Sequence, residues 1–286
     1  MTADTLVDDS PVRIKDWQPA NFEKGFRGPM PLRDALAHSV NTAAIHLLER
    51  TGVDPVRTIA RRLGITSPMG RDLSLALGTS EVTLLELAGA YTAFANGGQA
   101  VWPYAIREIR DRAGQVLYQR RGSGGSTPVI DRAALAELNR MLLGVIEYGT
   151  GKAARLDRMA AGKTGTSQDY HDAWFVGFTA DYVAGVWLGN DDNEPMKRVT
   201  GGGLPAKLWH DFMVDAHAGL PPRDLPGLNV PPPRAREPVV VAGEPPEPPP
   251  GPTGPISDVP VLGQFQRLIQ TLTGSARVEY TYPEGR

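Results

Sequence analysis

The tract Ala161-Gly-Lys-Thr-Gly-Thr-Ser167 is a predicted strand of small residues, with one lysine where bulky β-branched or aromatic side chains are usual. Gly165 leaves room for the backbone of a ligand, and Lys163 supplies a fixed cation. Thr164 and Thr166 add two hydroxyl groups that can donate hydrogen bonds. This combination favours a strand that lines a carboxylate-binding cleft.

A nucleotide-binding loop is the alternative interpretation, because Gly162-Lys163-Thr164 matches the end of the pattern G-x-x-x-x-G-K-[ST]. The first glycine of that pattern would fall at residue 157, where the chain has Asp157. The nucleotide interpretation therefore fails. Taken alone, these residues are more typical of a Gly/Thr-rich edge strand with an ordinary surface lysine.

The flanking sequence predicts helices in the first half of the chain and strands from residue 158 onward. Capping and stop residues place the helices at 31–52 with a break at Ser39, from Asp54 and Pro55 to Gly64, from the capping box Thr83-Leu-Leu-Glu86, from Asp131 to Gly149, and at 205–218. Predicted strands cover residues 105–110, 115–119, 159–167, 173–179 and 182–188, the last two as an antiparallel hairpin. The final helix should pack on this sheet through Leu208, Trp209, Phe212 and Met213.

Composition excludes several classes of function. The 286 residues include 30 Lys and Arg against 32 Asp and Glu, a net charge of −2, so we expect no nucleic-acid partner. No apolar run is long enough for a membrane span, and the first ten residues lack the features of a signal peptide. With no cysteine and no H-E-x-x-H pattern, we expect neither a metal nor another cofactor. We interpret Asp191, Asp192 and Glu194 as turn residues and not as a cation site.

Proline divides the chain, since residues 221–255 hold 14 of the 26 prolines. We expect a folded body over residues 1–220 and an extended, Pro-rich linker over 221–260. In the remaining tail, residues 261–286, apolar side chains at helical spacing predict a short amphipathic helix, formed by Val261, Leu262, Phe265, Leu268, Ile269 and Leu272.

The segment Ser39-Val40-Asn41 lies between two predicted helices. Ser and Asn at a helix boundary are most often caps. The combination with Lys163-Thr164-Gly165 indicates a different role, because penicilloyl serine transferases place S-x-x-K, S-x-N and K-T-G around one cleft.

Over residues 8–215 the chain resembles the transpeptidase domain of class A penicillin-binding proteins, 1A type. The resemblance lies in ordered segments that follow one another as in that family: Trp17-Gln-Pro-Ala-Asn21, Gly28-Pro-Met-Pro-Leu-Arg-Asp-Ala-Leu36, Ser39-Val-Asn41, Leu77-Gly-Thr-Ser80, Ala90-Tyr-Thr-Ala-Phe-Ala-Asn-Gly-Gly98, Gly149-Thr-Gly151, Lys163-Thr-Gly-Thr166 and Asp172-Ala-Trp-Phe-Val-Gly177. It implies the α+β fold of penicillin-binding proteins and serine β-lactamases, an antiparallel sheet flanked by helices, here truncated at the N-terminus.

The resemblance also implies roles for individual residues. The substrate-binding residues would be Lys163, Thr164, Gly165 and Thr166, which would hold the carboxylate of a peptidoglycan stem peptide ending in D-Ala-D-Ala, or of a β-lactam. The catalytic residues would be Ser39, Asn41, Lys163 and Thr166. Ser39 would relay a proton with the help of Lys163, Asn41 would orient the substrate amide, and the Thr166 N–H would stabilise the oxyanion. We expect Asp172 and Trp174 to brace the sheet.

The chain departs from the family in lacking the nucleophile pattern S-x-x-K. The residues three positions before its six lysines are Val12, Asn21, Gly149, Ala160, Glu194 and Leu204. We expect the chain to begin downstream of the nucleophile, and also of the family's membrane anchor and glycosyltransferase domain, and to be inactive alone.

The implied parent function is D,D-transpeptidation in cell-wall synthesis, on the periplasmic side of the bacterial inner membrane and held there by that N-terminal anchor. The Pro-rich tail would be available to other cell-wall synthesis proteins. A non-catalytic peptide-binding or interaction fragment, a β-lactam hydrolase, and a misplaced start or pseudogene remnant remain as alternatives.

Overall fold

The computed structural model describes residues 1–120 and 128–228. Its helices are α1 (Leu32–Ala37), α2 (Asn41–Thr51), α3 (Val53–Arg62), α4 (Leu84–Ala95), α5 (Arg132–Glu147) and α6 (Leu204–Ala216), with short 3₁₀ turns at Leu73–Leu77, Lys152–Ala154 and Gln168–Tyr170. Its strands are β1 (Leu6–Asp9), β2 (Gly28–Pro31), β3 (Glu108–Arg110), β4 (Val116–Gln119), β5 (Ala161–Thr166), β6 (Asp172–Phe178) and β7 (Val183–Gly189). The predicted α+β class is confirmed.

The central sheet is antiparallel, in the order β5-β6-β7, so β5 is an edge strand. Thr164 is opposite Phe175, and Val176 is opposite Gly185. The predicted hairpin of β6 and β7 is confirmed. Because side chains alternate along a strand, Lys163 lies on the face opposite to that of Thr164 and Phe175.

Helix α6 covers the Phe175 face of the sheet. The ring of Phe175 lies 5.2 Å from that of Trp209, edge to face, and the Trp209 indole donates to the carbonyl of Ala184 at 3.1 Å. A side chain at Gly177 would come within 2.9 Å of the Trp209 ring, so the close approach requires glycine there. Trp209 and Met213 are buried as predicted, whereas Leu208 and Phe212 are exposed on the outer side of α6.

Helices α4 and α5 cover the other face of the sheet. Phe178 is buried there, close to the rings of Tyr91 and Phe94 of α4 and packed with Leu142 of α5. Helix α4 begins with the predicted capping box of Thr83 and Glu86. Helix α5 begins at the predicted cap, where the Asp131 carboxylate accepts from backbone amides.

Two local features differ from the sequence-based expectation. Helix α3 has Gly52 as its N-cap, and Asp54 lies inside the first turn instead of capping it. The strand pair β1 and β2, antiparallel with Val7 opposite Met30, was not predicted. It packs against α1 and α2 in a small core that includes Val40. This pair brings Asp9 beside the start of α2.

The boundary expected at residue 220 lies too early in the chain. Leu225 is 1% exposed and packs with Phe178, and the Asn139 carboxamide donates to the carbonyl of Pro226 at 3.0 Å. Packed structure therefore continues to Leu228. The rest of the predicted linker and the predicted tail helix lie outside the described residues. None of the helices within the described ranges is long and apolar enough to cross a membrane.

Candidate functional site

Lys163 and Ser39 meet at the centre of the predicted site, although 124 residues separate them in the chain. Lys163 Nζ donates to Ser39 Oγ at 2.7 Å and to the carbonyl oxygen of Thr164 at 3.0 Å. An ammonium carries three hydrogens, so these two bonds leave one for a ligand. The proximity of Lys163 and Ser39 is the geometry that proton relay between them requires.

Ser39 occupies a break between α1 and α2. Its φ of +55° lies in the left-handed region, which is uncommon for a residue with a side chain. The N-cap of α2 is Val40, which makes no side-chain cap bond, so Ser39 does not cap this helix. The strained backbone instead presents the hydroxyl to Lys163, and such strain is concentrated at functional sites.

Desolvation sets the basicity of Lys163. The side chain is partly exposed, yet enough protein surrounds its ammonium that burial lowers its pKa from 10.5 to about 8. At pH 7 a larger fraction of Lys163 is therefore neutral than of a surface lysine, for which that fraction is negligible. Lys163 can serve both as a cation for a carboxylate and as a proton-transfer partner for Ser39.

A glycine-containing segment after α5 holds the two halves of the site together. The Thr150 amide donates to the carbonyl of Ala37 at 3.0 Å, and Thr150 Oγ1 lies 2.7 Å from Oγ1 of Thr164. A side chain at Gly149 would overlap the Ala37 carbonyl. The turn therefore fixes the end of α1 relative to β5.

Thr164, Gly165 and Thr166 complete the strand side of the site. The Ser167 amide donates to the Asp172 carbonyl at 3.0 Å. This bond determines which backbone N–H groups of β5 point toward β6, because their direction alternates along the strand. That alternation turns the N–H groups of Thr164 and Thr166 away from β6. The Thr166 amide is thus directed as an oxyanion donor would need to be. The side chain of Thr166 is exposed.

Asn41 lies in the first turn of α2, and its side-chain amide is bonded to a backbone carbonyl instead of to Lys163. Its Nδ2 donates to the carbonyl of Ala20 at 2.8 Å. The structure therefore brings Ser39, Lys163 and Thr164 into one hydrogen-bonded group and places Asn41 beside it. A cavity of about 140 Å³ opens next to Ser39, between residues 21–27 and 38–40.

Asp9 supports this wall of the site and was not identified from sequence. It is 1% exposed, and its carboxylate accepts from the Thr42 hydroxyl, from Asn21 Nδ2 at 2.7 Å and from the Arg27 amide at 2.8 Å. Burial alone would raise the pKa of Asp9, but the hydrogen bonds from Thr42, Asn21 and Arg27 outweigh it and lower the pKa. The carboxylate joins the loop that carries Ala20 to the start of α2. In the sequence, only the tract Trp17 to Asn21 indicated that this region belongs to the site.

The remaining candidates have structural roles. Asp172 accepts from the Trp187 indole at 2.9 Å and braces β6 against β7, as expected. Asn190 Nδ2 donates to the Glu194 carbonyl at 2.8 Å, which supports the turn interpretation. His217 is buried and bonded to Thr179. Within residues 1–120 and 128–228, no cluster of His, Cys, Asp or Glu could hold a metal ion.

Comparison with known proteins gives a consistent result. The family model described as the penicillin binding protein transpeptidase domain matches residues 1–213. The sequence is 38% identical over 224 residues to penicillin-binding protein 1A of Aquifex aeolicus, covering 77% of this chain and 30% of that protein. It is 34% identical over 270 residues to penicillin-binding protein 1A of Pseudomonas aeruginosa, covering 74% of this chain and 33% of that protein. The chain thus spans about a third of the length of these relatives.

Solved structures agree with the sequence comparison. The fold is similar to that of penicillin-binding protein 1A from Haemophilus influenzae, with a TM-score of 0.71 and 28% identity over 79% of this chain and 40% of that chain. It is also similar to PonA1 from Mycobacterium tuberculosis, with a TM-score of 0.73 and 25% identity over 84% of this chain and 71% of that chain.

The Asp9 network predicts a stability difference that depends on pH. Asp9→Asn should lower the free energy of unfolding at pH 7 by about 1.5–3 kcal/mol, because it removes hydrogen bonds to a buried charge. The pKa of Asp9 is lower in the folded state than in the unfolded state. Its contribution to the free energy of unfolding is therefore fully present above the unfolded pKa of about 3.9 and is lost as the pH falls through the folded pKa. Urea unfolding followed by tryptophan fluorescence at pH 7 and below pH 4 measures this.

The neighbouring, exposed Asp8 provides the matched control. Asp8→Asn should change the stability by less than about 0.5 kcal/mol at either pH. Equal effects of the two substitutions at pH 7 would contradict the role given to Asp9.

Proposed function

Because the chain belongs to the family of penicillin-binding protein transpeptidase domains, of the 1A type, we propose that its Lys163–Ser39 cleft is part of a D,D-transpeptidase site. Its ligands would be peptidoglycan stem peptides ending in D-Ala-D-Ala, and β-lactams that resemble them. The observation that carries this proposal is the 2.7 Å hydrogen bond between Lys163 Nζ and Ser39 Oγ, which unites the K-T-G and S-x-N segments.

The strand β5 would bind the terminal carboxylate of the ligand. Lys163 supplies the charge, and its third N–H is available for a charge-assisted hydrogen bond. Thr164 and Thr166 lie on the face of β5 opposite to Lys163 and add hydroxyl donors along the free edge of the strand. Gly165 carries no side chain, so the ligand backbone can approach β5 closely.

The same strand would stabilise the transition state. As the substrate carbonyl becomes tetrahedral, negative charge develops on its oxygen, and the outward N–H of Thr166 is a fixed donor for that charge. Ser39 would pass a proton to the leaving nitrogen of D-Ala. Lys163, with its pKa near 8, would then donate a proton to Ser39 Oγ along the hydrogen bond between them and become neutral.

A non-catalytic peptide-binding role is a second candidate, favoured by one sequence observation. Acylation requires an activated hydroxyl, and none of the six lysines follows a serine by three residues. The residues described above bind and position a ligand without supplying that nucleophile. This candidate shares the carboxylate cleft and differs only in the chemistry.

Further proposals concern the location and the partners of the protein. We infer a location on the periplasmic side of the bacterial inner membrane, where peptidoglycan is cross-linked. We also infer that the Pro-rich residues 221–286 could contact other cell-wall synthesis proteins. The location is inferred from the family, and the tail contact from the proline content of residues 221–260.

Lys163→Ala should weaken non-covalent binding of an N-acylated peptide ending in D-Ala-D-Ala. Loss of one charge-assisted hydrogen bond costs roughly 1.5–3 kcal/mol, about one to two decades in Kd. Titration calorimetry on the 286-residue chain measures this. Lys207→Ala is the control, since that lysine is an exposed residue of α6 paired with Asp211, and it should leave Kd unchanged. Equal affinity of the Lys163→Ala and Lys207→Ala variants would refute the carboxylate role.

The 286-residue chain should form no covalent adduct with penicillin, because no serine in it has a lysine three residues later. Incubation of purified, monodisperse protein with a fluorescent penicillin, followed by mass spectrometry, measures this. A penicilloyl mass shift on any serine or threonine would contradict the prediction, and its position would identify the nucleophile.

A further inference from the structure

Thr150 lies beside the proposed carboxylate site but outside the strand that forms it. Its Oγ1 is 2.7 Å from Oγ1 of Thr164, so the two hydroxyls share a hydrogen bond. Both side chains are partly buried. The mechanism described above uses Thr164 and gives Thr150 no role.

The hydrogen bonds of the two strand threonines decide what they can offer a ligand. A hydroxyl has one hydrogen, and a partner that donates to its oxygen leaves that hydrogen for another acceptor. The Gly201 amide donates to Thr166 Oγ1 at 3.0 Å, which leaves the Thr166 hydrogen available. A donation from Thr150 to Thr164 would do the same for Thr164.

A bound anion selects this direction of the Thr150–Thr164 bond. A carboxylate beside Thr164 attracts the Thr164 hydrogen, and each hydrogen bond in a chain of hydroxyls polarises the next. The opposite direction would turn a lone pair of Thr164 toward the negative charge. The chain from Thr150 to Thr164 to the carboxylate is therefore the favourable one.

The backbone holds Thr150 in place independently of its hydroxyl. Its amide donates to the Ala37 carbonyl at 3.0 Å. Its own carbonyl lies so close to Gly202 that any side chain at Gly202 would overlap it. Replacing the hydroxyl should therefore leave the turn at Thr150 in position.

We propose that Thr150 is a positioning residue, which donates to Thr164 and thereby directs the Thr164 hydrogen at the carboxylate of the ligand. This inference rests on the function proposed above. It assigns Thr150 to recognition of the charged end of the peptide, and to no other part of the ligand.

Two variants of the 286-residue chain separate this role from a purely structural one. Thr150→Val keeps a similar shape without the hydroxyl, and Thr150→Ser keeps the hydroxyl. The probes are an N-acylated peptide ending in D-Ala-D-Ala with a free carboxylate and the same peptide with a C-terminal amide. Calorimetry gives Kd for each combination.

Thr150→Val should weaken binding of the carboxylate peptide about five- to tenfold and change binding of the amide peptide by less than about twofold. Thr150→Ser should bind both peptides as the original chain does. If Thr150 had only a structural role, Thr150→Val would weaken the binding of both peptides alike. That result, or equal losses of affinity in the Val and Ser variants, would overturn the inference.

The original chain distinguishes this failure from that of the proposed function. If it prefers the carboxylate peptide and Thr150→Val keeps the full preference, only the role of Thr150 is overturned. If it shows no preference for the carboxylate, the proposed ligand site is wrong, and the role of Thr150 is overturned with it.

Discussion

The hydrogen bond between Lys163 Nζ and Ser39 Oγ joins two segments that are 124 residues apart in the chain. A bond of 2.7 Å tolerates little displacement, so both segments must be fixed by their surroundings. On one side, β5 is held in register by β6, and the sheet lies between α6 and the pair α4 and α5. On the other side, the break between α1 and α2 turns Ser39 toward the sheet with a positive φ.

Two polar clusters stabilise this arrangement from opposite directions. The turn at Gly149 and Thr150 bonds both to Ala37 and to Thr164, and so sets the spacing between α1 and β5. The buried carboxylate of Asp9 fixes the start of α2 to the loop that contacts Asn41. A buried charge is tolerated there because several donors surround it. The proposed recognition of a carboxylate and the proposed proton transfer at Ser39 would depend on these same contacts.

Local patterns in the sequence were sufficient for much of the fold. The capping box of Thr83, the break at Ser39 and the strand around Lys163 were each predicted from neighbouring residues, and the structure confirms them. Features that depend on distant partners were not predicted. Asp9 acquires its role only by meeting Asn21 and Thr42, and Leu225 is buried only because α5 and Phe178 provide a site for it. Proline density alone indicated a linker where packing continues to Leu228.

Packing around β5 lowers the pKa of Lys163 while its ammonium contacts Ser39. The direct measurement is an NMR titration of the chain labelled with ¹³C and ¹⁵N in lysine, with the Lys163 signal assigned by its loss in Lys163→Ala. We predict a midpoint of about 8 for Lys163, below the usual lysine value of about 10.4. A Lys163 midpoint of about 10.4 would show that burial does not lower its pKa.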